Sequence, residues 1–253
     1  MWTRAELKNR AKAILKTSYW KAFLASLVIM VAGSAESQGP DFEYRLDRSH
    51  FQNGDFSGML PDSMPNLMPI IGFIGLGIFL AVIAYRIFIG YPLEVGGRRY
   101  FVEASEGRVE LGNLGRGFNG QWYGNLVKTM LLRGLAILGW TLLLVIPGII
   151  KMYAYRFVPY ILAENPGIDS QRARQLSNQM TLGHKGAMFV LDLSFLGWYI
   201  LGALALGIGI LFVHPYVNTT FAELYQVLKA EALSRGDATA AEFTNGPQTE
   251  WSL

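Results

Sequence analysis

The sequence predicts an all-α fold: a polytopic membrane helix bundle of about six transmembrane helices, arranged as three helical hairpins, with an amphipathic N-terminal helix. Three observations predict it. Of 253 residues, 51% are hydrophobic and only 16% are charged, against about 25% charged in an ordinary soluble chain. The deficit is local: Met64 to Tyr85 and Leu193 to Val213 carry no charge, and uncharged runs of about 18 residues or more read as transmembrane helices. Finally, Pro92, Pro159 and Pro215 each fall late in an apolar stretch, as expected if each marks the second helix of a hairpin.

The N-terminal element is residues 1–21, an amphipathic interfacial helix. Leu7, Ala11, Ile14, Leu15 and Ser18 follow helical spacing, and Lys8, Lys12 and Lys16 lie off that stripe. Six basic residues face one acid there, which suits the anionic lipids of an inner leaflet. The apolar run Ala22 to Ala35 follows directly. It reads as a short first span with Tyr19, Trp20 and Lys21 in the headgroup zone. The alternative is a signal segment cleaved after Gly33-Ser34-Ala35.

Residues 36–66 hold six acids and two bases. Poverty in Lys and Arg makes this the external loop. A second span runs from about Leu67 to Gly90, with Gly72, Gly75, Gly77 and Ala81 allowing close helix approach. Its "GFIGLG" is not a phosphate loop, because it lies inside the apolar segment. Residues 91–123 carry Arg98, Arg99, Arg108 and Arg116 and belong inside. Within them "GNLGRGFNG" reads as a turn between helices, with phosphate contact as the rival reading.

Leu126 to Ile146 makes a third span. The segment "QRARQLSNQMTLGHK" carries Arg172, Arg174 and Lys185 against Asp169 alone, so it too belongs inside. The chain must therefore return between Gly148 and Asn165, about 24 Å of helix at 1.5 Å per residue. Pro147-Gly148 is then the tip of a hairpin. The last apolar region echoes this one: Gly139-Trp140 matches Gly197-Trp198, Pro159-Tyr160 matches Pro215-Tyr216, and Ala163-Glu164 matches Ala222-Glu223. Tyr91-Pro92-Leu93-Glu94 is a fainter copy. Three such hairpins give six spans; one crossing over Gly186 to Val213 would give five. Residues 22–234 form the integral membrane domain, and residues 235–253 a polar mobile C-terminal tail.

The stretches "LLLVIPGIIKMYAYRFVPYILAENP", "LSNQMTLGHKGAMFVLDLSFLGWYILG" and "GIGILFVHPYVNTTFAELYQVL" together resemble a bacterial integral-membrane family, domain of unknown function 975. "ELKNRAKAILKTSYWKAF" is also similar. The resemblance covers most of the chain outside the 36–66 loop and the tail. It implies a membrane protein and carries no activity with it.

Composition excludes several chemistries. The chain has no cysteine, so disulfides and thiolate metal sites are ruled out. His50, His184 and His214 have no ligand spacing, and no metal or cofactor is expected. A net charge of +3, scattered along the chain, gives no nucleic-acid footprint. Ser177, His184 and Asp192 supply triad residue types, but no nucleophile elbow accompanies them, so no enzymatic activity is expected.

Ionisable groups at membrane depth are the remaining pointers, because each is costly unless paired or hydrated. Arg86 and Lys151 lie near span ends and can snorkel. Arg156 lies about 12 Å, and Asp192 about 9 Å, from the inner ends of the fourth and fifth spans. Their depths nearly coincide, so a structural ion pair is expected, with a substrate or proton site as the rival. His214 precedes Pro215 and can bond a carbonyl the proline frees. Glu164, at the inner end of the fourth span, completes the candidate set of Arg156, Asp192, His214 and Glu164. The expected location is the cell membrane, multi-pass, with both termini cytoplasmic. Two functions remain open: a transport or export component for a small amphiphile, peptide or lipid, or a non-transporting adaptor of an envelope complex.

Removing Lys8, Lys12 and Lys16 is expected to weaken attraction of the N-terminal helix to anionic lipid by about 1 kcal/mol per charge. Vesicle co-sedimentation of the isolated peptide checks this; equal partitioning onto neutral and anionic vesicles counts against it.

Overall fold

The computed structural model describes residues 2–33, 67–204 and 208–244, and the regular elements among them are all helical. Four helices are long and apolar enough to cross a membrane: Arg4–Val31, Gly72–Ser105, Gly120–Leu143 and Lys185–Leu204. Their outward faces carry many large apolar side chains, among them Phe73, Phe79, Leu138, Leu142, Leu201 and Leu204. So broad an apolar exterior fits lipid rather than water.

Helix α1 (Arg4–Val31) joins the amphipathic start and the first apolar run into one element, bent at Ser18 (φ −130, ψ 20). Thr3 begins it by accepting the Glu6 amide at 3.2 Å, the N-cap half of a Thr-x-x-Glu box. The stripe Leu7, Ala11, Leu15 and Ser18 is buried. What covers it is the protein itself, chiefly the long C-terminal helix. Lys8 donates to the Ser194 carbonyl at 3.2 Å, while Lys12 and Lys16 remain exposed.

Helix α2 (Leu67–Tyr85), a π turn (Arg86–Gly90) and α3 (Tyr91–Ser105) run on without a break. Side chains from Gly72 to Ala84 are exposed, whereas most of α3 is buried. The expected end of the second span at Gly90 is therefore a change of surroundings, not an end of helix. Past the π turn the chain enters the bundle, and Glu94, Arg98, Tyr100 and Phe101 go inside. The glycine-rich segment after it is a 3-10 helix, Leu111–Phe118, instead of a simple turn.

Helix α4 (Gly120–Leu143) is capped by Asn119. The chain then reverses at Leu144, whose backbone is extended (φ −158, ψ 133), and returns as α5 (Val145–Ala154). The pairing is antiparallel throughout. A Cβ on Gly148 would meet Thr141 Oγ1 at 2.3 Å, Arg133 reaches the Tyr155 carbonyl at 2.9 Å, and Asn125 holds the carbonyls of Pro166 and Ile168, each at 2.8 Å. The hairpin thus exists, but its tip is Leu144. Pro147 sits in the first turn of the returning helix, where its missing N–H costs nothing. Gly148 serves the close approach of the two helices.

After α5 come α6 (Val158–Glu164), α7 (Ser170–Met180), α8 (Lys185–Leu193), α9 (Leu196–Leu204) and α10 (Gly209–Arg235). Asp169 caps α7 by accepting the amides of Gln171 and Arg172 at 2.8 and 3.1 Å. Those bonds hold the exposed Asp169 carboxyl below its ordinary range. Helix α9 folds back on α10, and α8 packs on α5. The Gly202 position approaches the Ile210 amide, Tyr199 packs edge-on to His214 at 6.0 Å, and His184 bonds Glu231 at 3.2 Å.

Residues 236–244, expected as the start of a mobile tail, are packed. Helix α11 (Ala241–Thr244) buries Phe243, a burial worth roughly 1.5–3 kcal/mol. Glu242 pairs with Arg172 at 2.5 Å, and Asn165 bonds the Glu242 carbonyl at 3.0 Å. The 36–66 loop, residues Ser34-Ala35 of the cleavage motif and residues 245–253 lie outside the described residues.

The Arg172 hydrogen bond pulls the Glu242 carboxyl down to about 2 from an ordinary 4.5. A depressed carboxylate contributes stability above its unfolded pKa and loses it as pH falls through the folded one. Hydrogen-exchange protection of residues 237–244, corrected for intrinsic rate, is thus expected to hold from pH 7 to 5 and fade as pH falls from about 4.5 to about 2. Arg172→Ala is expected to speed exchange there by about fivefold at neutral pH, the scale of a partly exposed pair. Unchanged protection in the variant counts against the clasp.

Candidate functional site

The polar interior is built where helices break. Helix α5 ends at Ala154, and α6 starts at Val158 with Pro159 in its first turn. Proline cannot donate to the carbonyl four residues back, which here belongs to Tyr155. That carbonyl takes Arg133 Nε at 2.9 Å and the Val158 amide at 3.3 Å. The other loose ends of the break are closed from α7. Ser177 donates to the Ala154 carbonyl at 2.8 Å and accepts the Phe157 amide at 3.2 Å.

The break turns Arg156 inward. Its guanidinium forms a two-pronged pair with Asp192, Nη1 to Oδ2 at 2.6 Å and Nη2 to Oδ1 at 3.1 Å. Tyr153 donates to the same carboxylate at 2.8 Å. Phe221 lies under the guanidinium, 3.7 Å from its centroid, and such stacking adds to the charge pair. Asp192 lies just before a second interruption, at Ser194 and Phe195, between α8 and α9. The arginine side chain is 9% exposed and the aspartate 30%, so the site is open on the aspartate side. By the antiparallel pairing, Arg156 lies opposite Arg133, ten residues or about 15 Å below the Leu143 end of α4.

A second cluster adjoins the first. Glu94 is 1% exposed and pairs with Arg86 at 2.8 Å and Arg133 at 3.8 Å. Arg98 donates to the Tyr160 hydroxyl at 3.1 Å and to Asn218 Oδ1 at 2.8 Å. Asn218 in turn donates to Ser26 at 3.0 Å. His214, one turn before Asn218, is buried, and its Nδ1 has no hydrogen-bond partner among the described residues.

Of the four residues singled out in the sequence, Arg156 and Asp192 are in contact. His214 sits beside the Arg98 cluster instead. Glu164 belongs to a third group, accepting from Tyr225 at 2.6 Å and Lys229 at 2.5 Å. Ser177 and His184 are engaged elsewhere, with backbone and with Glu231, so no triad with Asp192 is formed. Sequence reasoning missed Glu94, Arg98, Arg133 and Asn218. A signal was present: Glu94 and Arg98 stand one helical turn apart, directly after an uncharged helix. Among the described residues no cluster of His, Asp and Glu is suited to a metal ion.

Residues 135–232 match the model of a family described as protein of unknown function (DUF975). The match covers α5 through α9, most of α10 and the last turns of α4, and so includes both helix breaks. No curated protein and no solved structure matches the chain.

Breaking a buried pair costs about 3–5 kcal/mol, while replacing both members is often nearly neutral. Asp192→Leu and Arg156→Leu are each expected to lower folded yield in detergent, and the double variant to recover most of it. Additive losses, read by size-exclusion yield and thermal unfolding, would show that the two side chains are not coupled.

Proposed function

We propose that this chain is a six-span membrane bundle that binds a small amphiphile, peptide or lipid and moves it as a transport or export component. In this reading the spans are the apolar half of α1, α2, α4, α5 with α6, α8 with α9, and the first half of α10. Both termini and residues 92–123 and 165–185 face the cytoplasm, and residues 36–66 face outward. Anionic headgroups meet Lys12 and Lys16. No covalent chemistry is part of the reading.

One observation supports it most: the Arg156–Asp192 pair lies at two helix interruptions in neighbouring elements. Non-helical backbone at membrane depth is tolerated where it is buried in protein or lines a cavity. Broken helices with polar groups at mid-depth are a recurring way to build a binding site there. A purely structural pair needs no interruption on both sides.

Flux is the direct check. Proteoliposomes are expected to move a fluorescent phosphatidylglycerol or a labelled amphipathic peptide at least about tenfold faster than empty liposomes. The Arg156→Leu/Asp192→Leu double variant is expected to lose that excess while remaining folded. No flux with either probe, joined to co-purification of a stable partner protein, would favour the adaptor instead.

Sidedness is checked with Gln175→Cys, since Gln175 is exposed on α7 while Ser177 is buried. The cysteine is expected to resist an impermeant external reagent in intact cells and to react after permeabilisation. Labelling in intact cells would overturn the six-span arrangement.

A further inference from the structure

A cavity of about 680 Å³ lies between α3, the 3-10 helix, the start of α4 and the end of α6. It shares no residue with the Arg156–Asp192 pair, and a ligand there would bind whether or not the chain transports anything. The volume is in the range of small-molecule sites, about 300–1,000 Å³. Its walls divide by chemistry. Phe118 and the Trp122 ring, backed by the buried Val95, Leu126 and Leu162, make an apolar side, and Arg99 with Arg116 makes a basic one.

The two arginines are held differently. Arg99 is 12% exposed and fixed by Glu103 at 2.6 Å, and it also donates to the Ala163 carbonyl at 3.1 Å. Arg116 is 47% exposed and reaches the same Glu103 oxygen only at 3.4 Å. Two guanidiniums therefore converge on one carboxylate oxygen, and the looser one faces solvent. Planar guanidinium forks are suited to carboxylate and phosphate oxygens. Of the acids in the wall, Glu164 already holds Tyr225 and Lys229, and Glu110 is exposed.

Gly112 and Gly115 face open space, since a Cβ on either would meet nothing within 4 Å. The cavity thus has room beside the 3-10 backbone.

We propose that this cavity binds an amphiphile bearing an acid group, with Arg116 and Arg99 taking the carboxylate or phosphate and Phe118 and Trp122 taking the apolar part. A membrane lipid headgroup and a free fatty acid share this chemistry.

Native mass spectrometry or equilibrium dialysis on the full chain in detergent tests it with three probes: lysophosphatidate, oleate and the uncharged monoolein. At least one acid is expected to bind about tenfold or more tighter than monoolein. Preference for lysophosphatidate assigns the site to a lipid phosphate, and preference for oleate assigns it to a fatty acid. Arg116→Gln is expected to weaken the acid at least about tenfold and leave monoolein unchanged. A Cβ on Gly115 meets nothing within 4 Å, so Gly115→Leu is expected to fold and, by narrowing the cavity, to weaken binding of all three probes. Equal binding of acid and uncharged probes, no binding at all, or full binding by both variants would overturn the proposal.

Discussion

The guanidinium of Arg98 ties the bundle together. It is 2% exposed and bonds Tyr160 of α6 and Asn218 of α10 from its place on α3. These are the three helices that carry Pro92, Pro159 and Pro215. Taking a charge out of water is costly, and losing a partner that holds it raises the cost. The three proline-marked segments therefore cannot drift apart without exposing or orphaning this group. Around it, Phe157, Tyr160 and Tyr225 pack ring against ring at 5.3–5.6 Å, an arrangement worth more than area alone.

From that centre the other features follow. Holding α6 inward at Tyr160 sets the break at Tyr155–Phe157, and the break puts Arg156 across from Asp192. Arg133 and Ser177 satisfy the backbone groups that the break and Pro159 release, so the interruption is stable instead of frayed. The end of the bundle that holds Glu164 is closed separately, by Glu164 with Lys229 and by the clasp of Glu242 on Arg172. Paired polar groups thus sit within a mostly apolar interior while much of the outside is apolar as well, an arrangement that lipid favours.

Much of this was legible in the sequence. Uncharged runs marked the exposed helices, and the charge of residues 165–185 required a return after α4. The echo around Trp140 and Trp198 falls on two pairs of packed helices, α4 with α5 and α9 with α10. The tip was misplaced by three residues because Pro-Gly is a strong turn signal, whereas nothing in Leu144 announces an extended residue. Residues 91–123 read from the sequence as a charged segment on the inner side, and nothing in that charge announces a buried helix α3. In the fold Glu94 pairs with Arg86 and Arg133, Arg98 bonds Tyr160 and Asn218, and Arg99 pairs with Glu103 on its own helix. The same holds for α1, whose amphipathic stripe suits a membrane surface equally well but meets α10. Phe243 alone hinted that the tail docks, and a single aromatic in a polar stretch is a weak signal.

The central claim is that Arg98 couples α3 to α10 through Asn218. A double-mutant cycle on Arg98→Met and Asn218→Leu, read as unfolding free energy in mixed micelles, tests it most directly. The account predicts a coupling of at least about 1 kcal/mol, within the usual range for residues in one hydrogen-bond network. Additivity within about 0.3–0.5 kcal/mol, as for independent sites, would contradict it.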